Sequence, residues 1–269
     1  MGKIIICGDS FSIGIGCNDL LKDSYGPLLA KHYGRDLLNF AKGSSTNYSI
    51  FLQAKYAIEN IKDIDLLIIS DTCPHRVNFF KGKEQLRRSQ DMWTHPPLTN
   101  LDVNYHEYPP YGEGTYPQVI PHPYKDNPKY KGTLNTENWH GVVNYCENFE
   151  RTINRPYFNK FKGDKERLYL LLQYYLEIFD IGIQTTYDEG ILFLAYSMAV
   201  AKGIPTLVAA EKETLAALIK DSDYVRLSWG ALALEYPDDL KSFHTSEEGH
   251  KKAFSTVANH IDKYKLLER

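Results

Sequence analysis

Short apolar runs alternate with stretches of helical periodicity in the first part of the chain. The runs lie at residues 3–8, 36–41 and 65–70, and their length and aliphatic, partly β-branched content are typical of buried parallel strands. Between them, residues 24–33 and 47–61 carry apolar side chains at intervals of three and four, which predicts helices. This alternation predicts an α/β fold, a three-layer, doubly wound, mostly parallel sheet of the flavodoxin-like kind.

The pattern breaks after the third predicted strand. Residues 105–130 contain six Tyr and six Pro, and proline at this density is incompatible with regular helices or strands. We predict that residues 81–163 form a large Tyr/Pro-rich insertion and a candidate lid, within a single domain that spans residues 1–269. Regular patterns return afterwards, with predicted helices at 164–179, 188–201 and 247–264. Residues 203–210 predict a loop that leads into a fourth strand, and residues 224–228 predict a fifth.

Composition excludes some partners. The net charge is -3 and basic residues do not cluster, so we expect no binding to nucleic acid. The apolar run near the N-terminus is too short for a signal peptide or membrane anchor, so we expect no membrane partner and a cytoplasmic location. A component of a virus particle would have the same composition. The four cysteines lie far apart without a CxxC pair, which argues against a disulfide framework.

Two polar segments are candidates for chemistry. Gly8-Asp9-Ser10 follows the first predicted strand, at the carboxyl edge where open α/β sheets bind ligands. His244 precedes the last predicted helix, for which Ser246 is a candidate N-cap. A serine hydroxyl needs a base to become a good nucleophile, and a loop histidine is the usual one. The structural alternatives are a capped turn at Ser10 and a surface loop at His244.

Together these segments resemble motifs of the GDSL-type, or SGNH, family of serine hydrolases. Gly8-Asp9-Ser10 matches the first motif of that family, Gly43 within residues 39–47 matches the second, and residues 244–250 match the last. The three occur in the family's order along the chain. The resemblance covers about residues 1–80 and 165–265, and it leaves the Tyr/Pro-rich insertion unmatched.

The resemblance implies hydrolysis of a carboxylic ester through an acyl-serine intermediate, without a cofactor. Ser10 would be the nucleophile and His244 its base, and the backbone N–H groups of Ser10 and Gly43 would form the oxyanion hole. A small-molecule or carbohydrate ester is the expected substrate, with an O-acyl group on a carbohydrate as one form of it. A substrate of that kind would suit an aromatic lid.

Two positions depart from the family pattern. The family has an asparagine after the third strand to complete the oxyanion hole, whereas this chain has Thr72, whose hydroxyl is the candidate replacement. Asn47 and Arg76 are further candidates for contact with substrate. Arg76 would bind a negatively charged group, and the alternative for it is an ordinary surface salt bridge. The family also has an aspartate three residues before the histidine, where this chain has a lysine. We therefore predict Asp239 as the acid of the triad, with Asp238 or a Ser–His dyad as alternatives.

Other features of the sequence bear on metal binding, dinucleotide binding and the alternative functions. Four histidines and a cysteine between residues 95 and 146 lack the close spacing of zinc ligands, so no metal is expected. Gly14-Ile15-Gly16 lacks the full GxGxxG pattern of dinucleotide sites. The alternative functions are an acyltransferase that uses the same serine, and a catalytically silent relative that binds a glycan or a protein.

Overall fold

The computed structural model describes residues 2–42, 45–72, 98–99, 180–238 and 244–268. The described strands are β1 (Lys3–Cys7), β2 (Asp36–Asn39), β3 (Ile64–Ser70), β4 (Leu98–Thr99), β5 (Thr206–Ala210) and β6 (Tyr224–Arg226). The described α-helices are α1 (Ser10–Ile13), α2 (Tyr25–Tyr33), α3 (Asn47–Asn60), α4 (Ile181–Ala201), α5 (Glu213–Leu218), α6 (Trp229–Glu235) and α7 (Glu247–Tyr264). Two short 3₁₀ helices lie at Asp221–Asp223 and Leu266–Glu268.

The strands form one sheet in the order β4-β2-β1-β3-β5-β6. Five of them are parallel, and β4 pairs with β2 in the antiparallel direction. Without β4, the order β2-β1-β3-β5-β6 is that of flavodoxin-like sheets. The structure therefore confirms the predicted α/β class and the parallel sheet.

Helices cover both faces of the sheet, and the burial of β1 on both sides shows this. Ile4 and Ile6 of β1 are fully buried on one face with side chains of α2, α6 and α7, including Leu29 and Val257. The intervening Ile5 is fully buried on the opposite face, among side chains of α3, α4 and α5. Successive residues of a strand point to opposite faces, so a strand covered on both sides has to be apolar throughout.

Most predicted elements are found within a few residues of their expected bounds. Helix α4 begins seven residues earlier than predicted, at Ile181. The sequence pattern did not predict α1, α5, α6 or β4, all of which have seven residues or fewer. The predicted helix at 164–179 and the predicted insertion at 81–163 lie outside the described residues, apart from the two residues of β4.

The chain divides into two compact units, and the described sheet belongs to the first. That unit comprises residues 1–117 and 186–269, and the second comprises residues 118–185. Within the described residues, no helix is long and apolar enough to cross a membrane.

The strand order determines where a site can form. The chain leaves β1 for β2 on one side and returns to β3 on the other, so the connections diverge between β1 and β3. Ligands of open α/β sheets bind at such a point, beyond the carboxyl ends of the strands. Here β1 ends at Cys7 and β3 at Ser70, directly before Gly8-Asp9-Ser10 and Asp71-Thr72.

Candidate active site

Ser10 is the first residue of α1, a single helical turn. Asp9 is its N-cap, and the Asp9 carboxyl oxygen Oδ1 accepts a hydrogen bond from the backbone N–H of Phe11 at 3.0 Å. The first N–H groups of a helix have no intrahelical acceptor, so the N–H of Ser10 is directed away from the helix. The Ser10 side chain lies in a tightly packed region, since the residue is only 4% exposed.

Gly8 is required for lack of space rather than for its backbone conformation. It is not among the described glycines with positive φ. A Cβ atom at Gly8 would instead lie 2.2 Å from Ser12 Oγ and 2.5 Å from Ser12 Cβ. The glycine is needed because α1 folds back against the end of β1.

His244 lies directly against the Ser10 hydroxyl. Its Nε2 atom is 2.8 Å from Ser10 Oγ, although the two residues are 234 positions apart in the chain. The half-buried imidazole lies in the loop before α7, whose N-cap is Ser246, as predicted. With the proton of the neutral ring on Nδ1, Nε2 accepts a hydrogen bond from the serine hydroxyl, which is the arrangement that a general base requires.

Backbone contacts hold the loop that carries His244. The Asp238 N–H donates to the His244 carbonyl oxygen at 3.0 Å, and the Ser246 N–H donates to the Tyr236 carbonyl oxygen at 2.7 Å. On the other side, a Cβ atom at Gly16 would lie 2.0 Å from the Thr245 carbonyl oxygen. Gly16 also has a φ of 107°, so two independent reasons exclude a side chain there.

An aromatic cluster packs beside the base. The Phe11 ring lies 5.0 Å from the His244 ring and stacks on Trp229 at 5.4 Å. Trp229 is anchored because its Nε1–H donates to Ser70 Oγ at 2.9 Å. Sequence reasoning missed Phe11 and Trp229, because only the fold brings α6 against α1.

Thr72 lies near the nucleophile, but its hydroxyl is engaged. Thr72 Oγ1 donates to Asp9 Oδ2 at 2.7 Å, and the two residues are 6% and 1% exposed. A hydroxyl has a single hydrogen to donate. The predicted role of Thr72 as an oxyanion donor is therefore not the role that the structure shows, which is to join the end of β3 to Asp9.

Asn47 also differs from its predicted role as a substrate contact. It is fully buried, and its amide bonds both backbone groups of Thr72 at 3.0 Å and Asp188 Oδ2 at 2.9 Å. These three bonds leave no face of the amide directed at a ligand. Asn47 fixes the end of β3 instead.

Three other predicted site residues, Gly43, Arg76 and Asp239, lie outside the described residues. The loop that contains Gly43 begins beside the nucleophile, since the Lys42 N–H donates to the Gly8 carbonyl oxygen at 3.2 Å. The alternative acid, Asp238, is 4% exposed and follows the bridge between Pro237 and Thr245. The identity of the acid stays a prediction.

Burial shifts the pKa of three groups around the site. Burial raises the pKa of Asp71 to about 7, and the neighbouring Asp9 acts in the same direction. Burial lowers the pKa of Lys42 to about 8. Burial also lowers the pKa of His250 to about 4, so this second histidine is neutral at neutral pH. His250 lies within α7, fully buried and 5.5 Å from the Trp229 ring, in a packing position.

Within the described part of the chain, no group of three His, Cys, Asp or Glu side chains is placed to bind a metal ion. The histidines and the cysteine between residues 95 and 146 lie outside that part. Comparisons of the chain with protein-family models, with curated proteins and with solved structures found no match. The arrangement of Ser10 and His244 is therefore the observation from which a function has to be inferred.

Proposed function

We propose that the protein is a serine esterase of the GDSL type, with Ser10 as nucleophile and His244 as general base. The observation that carries this proposal is the 2.8 Å contact between His244 Nε2 and Ser10 Oγ at the carboxyl edge of the sheet. Chance contacts between a serine and a histidine occur elsewhere in proteins. This one joins two motifs that the sequence identified independently, at the position where such sheets bind ligands.

In the proposed reaction, Ser10 Oγ attacks the carbonyl carbon of an ester while His244 Nε2 takes the serine proton. The tetrahedral intermediate collapses as His244 returns that proton to the leaving alcohol, and an acyl-serine remains. A water molecule then repeats the sequence, giving its proton to His244 and releasing the carboxylic acid and free Ser10. These two steps need no oxidant, reductant or cofactor.

Stabilisation of the oxyanion is proposed for two backbone donors. The N–H of Ser10 is free of an intrahelical acceptor because Ser10 is the first residue of α1. The resemblance assigns the second donor to the N–H of Gly43. Removing one donor of this kind typically costs about a hundredfold to a thousandfold in kcat.

The acid that orients His244 is proposed to be Asp239 or Asp238, with a dyad as the alternative. Asp238 is buried, and its backbone N–H donates a hydrogen bond to the His244 carbonyl oxygen. Either aspartate would hold the Nδ1–H tautomer and stabilise the imidazolium. The proposed substrate is a small ester, such as an O-acyl group on a carbohydrate.

A second candidate function is a binding protein that retains the serine and histidine but turns over esters poorly. The engagement of the Thr72 hydroxyl by Asp9 favours it, because the third oxyanion donor of the family then has no counterpart in Thr72. Acyl transfer is a third outcome of the same chemistry, and it differs only in the acceptor.

Hydrolysis of p-nitrophenyl acetate tests the proposal. We expect Ser10→Ala and His244→Gln to reduce kcat/KM by about a thousandfold or more relative to the wild type. Ser12→Ala is the matched control, because Ser12 is a fully buried serine only two residues from Ser10. Equal rates for the wild type and Ser10→Ala would refute the esterase. Ser10-dependent transfer to an added alcohol in preference to water would identify a transferase.

A further inference from the structure

A buried glutamine holds the peptide that leads into Ser10. Gln53 lies on α3, is 1% exposed, and directs its amide at Gly8. Its Oε1 atom accepts a hydrogen bond from the Gly8 N–H at 2.7 Å, and its Nε2 atom donates to the Gly8 carbonyl oxygen at 3.1 Å. Nε2 also donates to Ser45 Oγ at 3.1 Å. The amide thus uses both of its donor hydrogens and its acceptor.

These bonds begin where the sheet ends. The pairing of β1 with β3 stops at Cys7, and its pairing with β2 stops at Ile6. Gly8 is the next residue. Gln53 bonds both its N–H and its carbonyl oxygen, and that oxygen also accepts from the Lys42 N–H. Only Asp9 separates this clamped residue from the nucleophile. A rotation of the Gly8 peptide would therefore move both Ser10 Oγ and the Ser10 N–H.

The hydrogen bond from Gln53 Nε2 to Ser45 Oγ connects Gln53 to a second segment of the chain. Ser45 follows Gly43 by two residues in the chain and precedes α3, so Gln53 connects this segment to the nucleophile turn. One side chain thus bonds the backbone of Gly8 and the hydroxyl of Ser45.

We propose that Gln53 is a positioning residue, which holds Ser10 in register with His244 and with the segment around Ser45. The proposal rests on the esterase function proposed above. Gln53 touches neither the substrate nor the reacting atoms, so its effect is expected on kcat rather than on KM. A small displacement of a nucleophile from its reactive geometry lowers the rate strongly.

Tyr224 on β6 provides a control away from the nucleophile turn, since β3 and β5 separate β6 from β1. Its hydroxyl donates to the Ala210 carbonyl oxygen at 2.8 Å and accepts from the Lys212 N–H at 3.0 Å. Tyr224→Phe removes these hydrogen bonds and leaves those of Gly8 in place. A comparison of Gln53→Met with Tyr224→Phe therefore separates positioning from general loss of stability.

The experiment measures kcat and KM for p-nitrophenyl acetate, well below the unfolding temperature of each variant. We expect Gln53→Met to lose about tenfold or more in kcat with KM within about twofold, in line with the sensitivity of rate to geometry. Tyr224→Phe, which also loses partly buried hydrogen bonds, is expected to lose less than about threefold. Equal losses of kcat in the two variants would overturn the positioning role, and so would full activity of Gln53→Met.

Gln53→Glu gives a second test, which does not depend on Gln53→Met folding. A glutamate still accepts from the Gly8 N–H, but it can donate to the Gly8 carbonyl oxygen only when protonated. Its activity relative to the wild type is therefore expected to fall as the pH rises through the pKa of the buried acid. A pH-independent ratio would overturn the proposal. If the wild type itself shows no Ser10-dependent turnover, the esterase function fails, and the inference about Gln53 fails with it.

Discussion

Replacement of Thr72 by valine tests the network behind the nucleophile. Valine has nearly the shape of threonine but lacks the hydroxyl that donates to Asp9 Oδ2 at 2.7 Å. Thr72 is 6% exposed and Asp9 is 1% exposed, so water has little access to replace the lost donor. Asp9 accepts a hydrogen bond on each of its carboxyl oxygens, from Phe11 N and from Thr72 Oγ1. The variant thus leaves one oxygen of a buried carboxylate without this donor.

The expected cost follows from the type of bond that is lost. A hydrogen bond to a carboxylate contributes about 1.5–3 kcal/mol net. We therefore expect the Thr72→Val variant to lose about 2–3 kcal/mol of unfolding free energy, a large share of the roughly 5–15 kcal/mol typical of folded domains. Thr72→Ser keeps the hydroxyl and removes one methyl group, so it should lose only about 1 kcal/mol.

Urea denaturation at constant pH measures these differences, and ester hydrolysis by the same samples distinguishes the two roles of Thr72. A hydroxyl that stabilised the oxyanion would, when removed, lower kcat about a hundredfold to a thousandfold with little loss of stability. The structure predicts the opposite, a clear loss of stability with a smaller loss of kcat. A Thr72→Val variant with the stability of the wild type would refute the Asp9 contact.

Two further predictions concern the loop and the helix around His244. Gly16→Ala should lower kcat and the unfolding free energy together, because its Cβ would lie 2.0 Å from the Thr245 carbonyl oxygen at a φ of 107°. Gly34→Ala controls for backbone strain, since Gly34 has a φ of 61° but nothing within 4 Å of the added Cβ. Equal kcat in both variants would contradict the prediction. Burial lowers the pKa of His250 to about 4, from an ordinary value of 6.5. As the pH falls, the unfolded chain therefore takes up a proton on His250 before the folded chain does. The stability that comes from the neutral, buried His250 is thus present above pH 6.5 and lost towards pH 4. Urea titrations should show that the difference in unfolding free energy between the wild type and His250→Gln decreases by about 2 kcal/mol from pH 7.5 to pH 5. A constant difference would show instead that His250 ionises equally in the folded and unfolded chains.

The strands and long helices were predictable because each has a strong local signal. The β1 run is apolar at every position because both of its faces are covered, and α3 repeats apolar residues at helical spacing. The short elements α1, α5 and α6 have too few residues to establish a period. Their positions depend on contacts with the rest of the fold, such as the bond between Trp229 of α6 and Ser70 of β3.

The site was predictable only where a residue has a motif. Ser10 and His244 occur in motifs whose order along the chain suggested that they meet. Gln53 and the bond between Asp9 and Thr72 have no such signal, because they join residues 45 and 63 positions apart through single hydrogen bonds. Asn47 was assigned to substrate from its place in a motif, and its burial beside Thr72 and Asp188 became visible only in three dimensions.

Reaction with a fluorophosphonate tests the central claim most directly, since such a reagent phosphonylates an activated serine without requiring the natural substrate. The account predicts one adduct per chain, located at Ser10 by peptide mass spectrometry. It also predicts a similar adduct in Ser12→Ala, a much slower reaction in His244→Gln, and no reaction in Ser10→Ala. An unlabelled wild type, or labelling of Ser10→Ala at the wild-type rate, would contradict the claim that His244 activates Ser10 as a nucleophile.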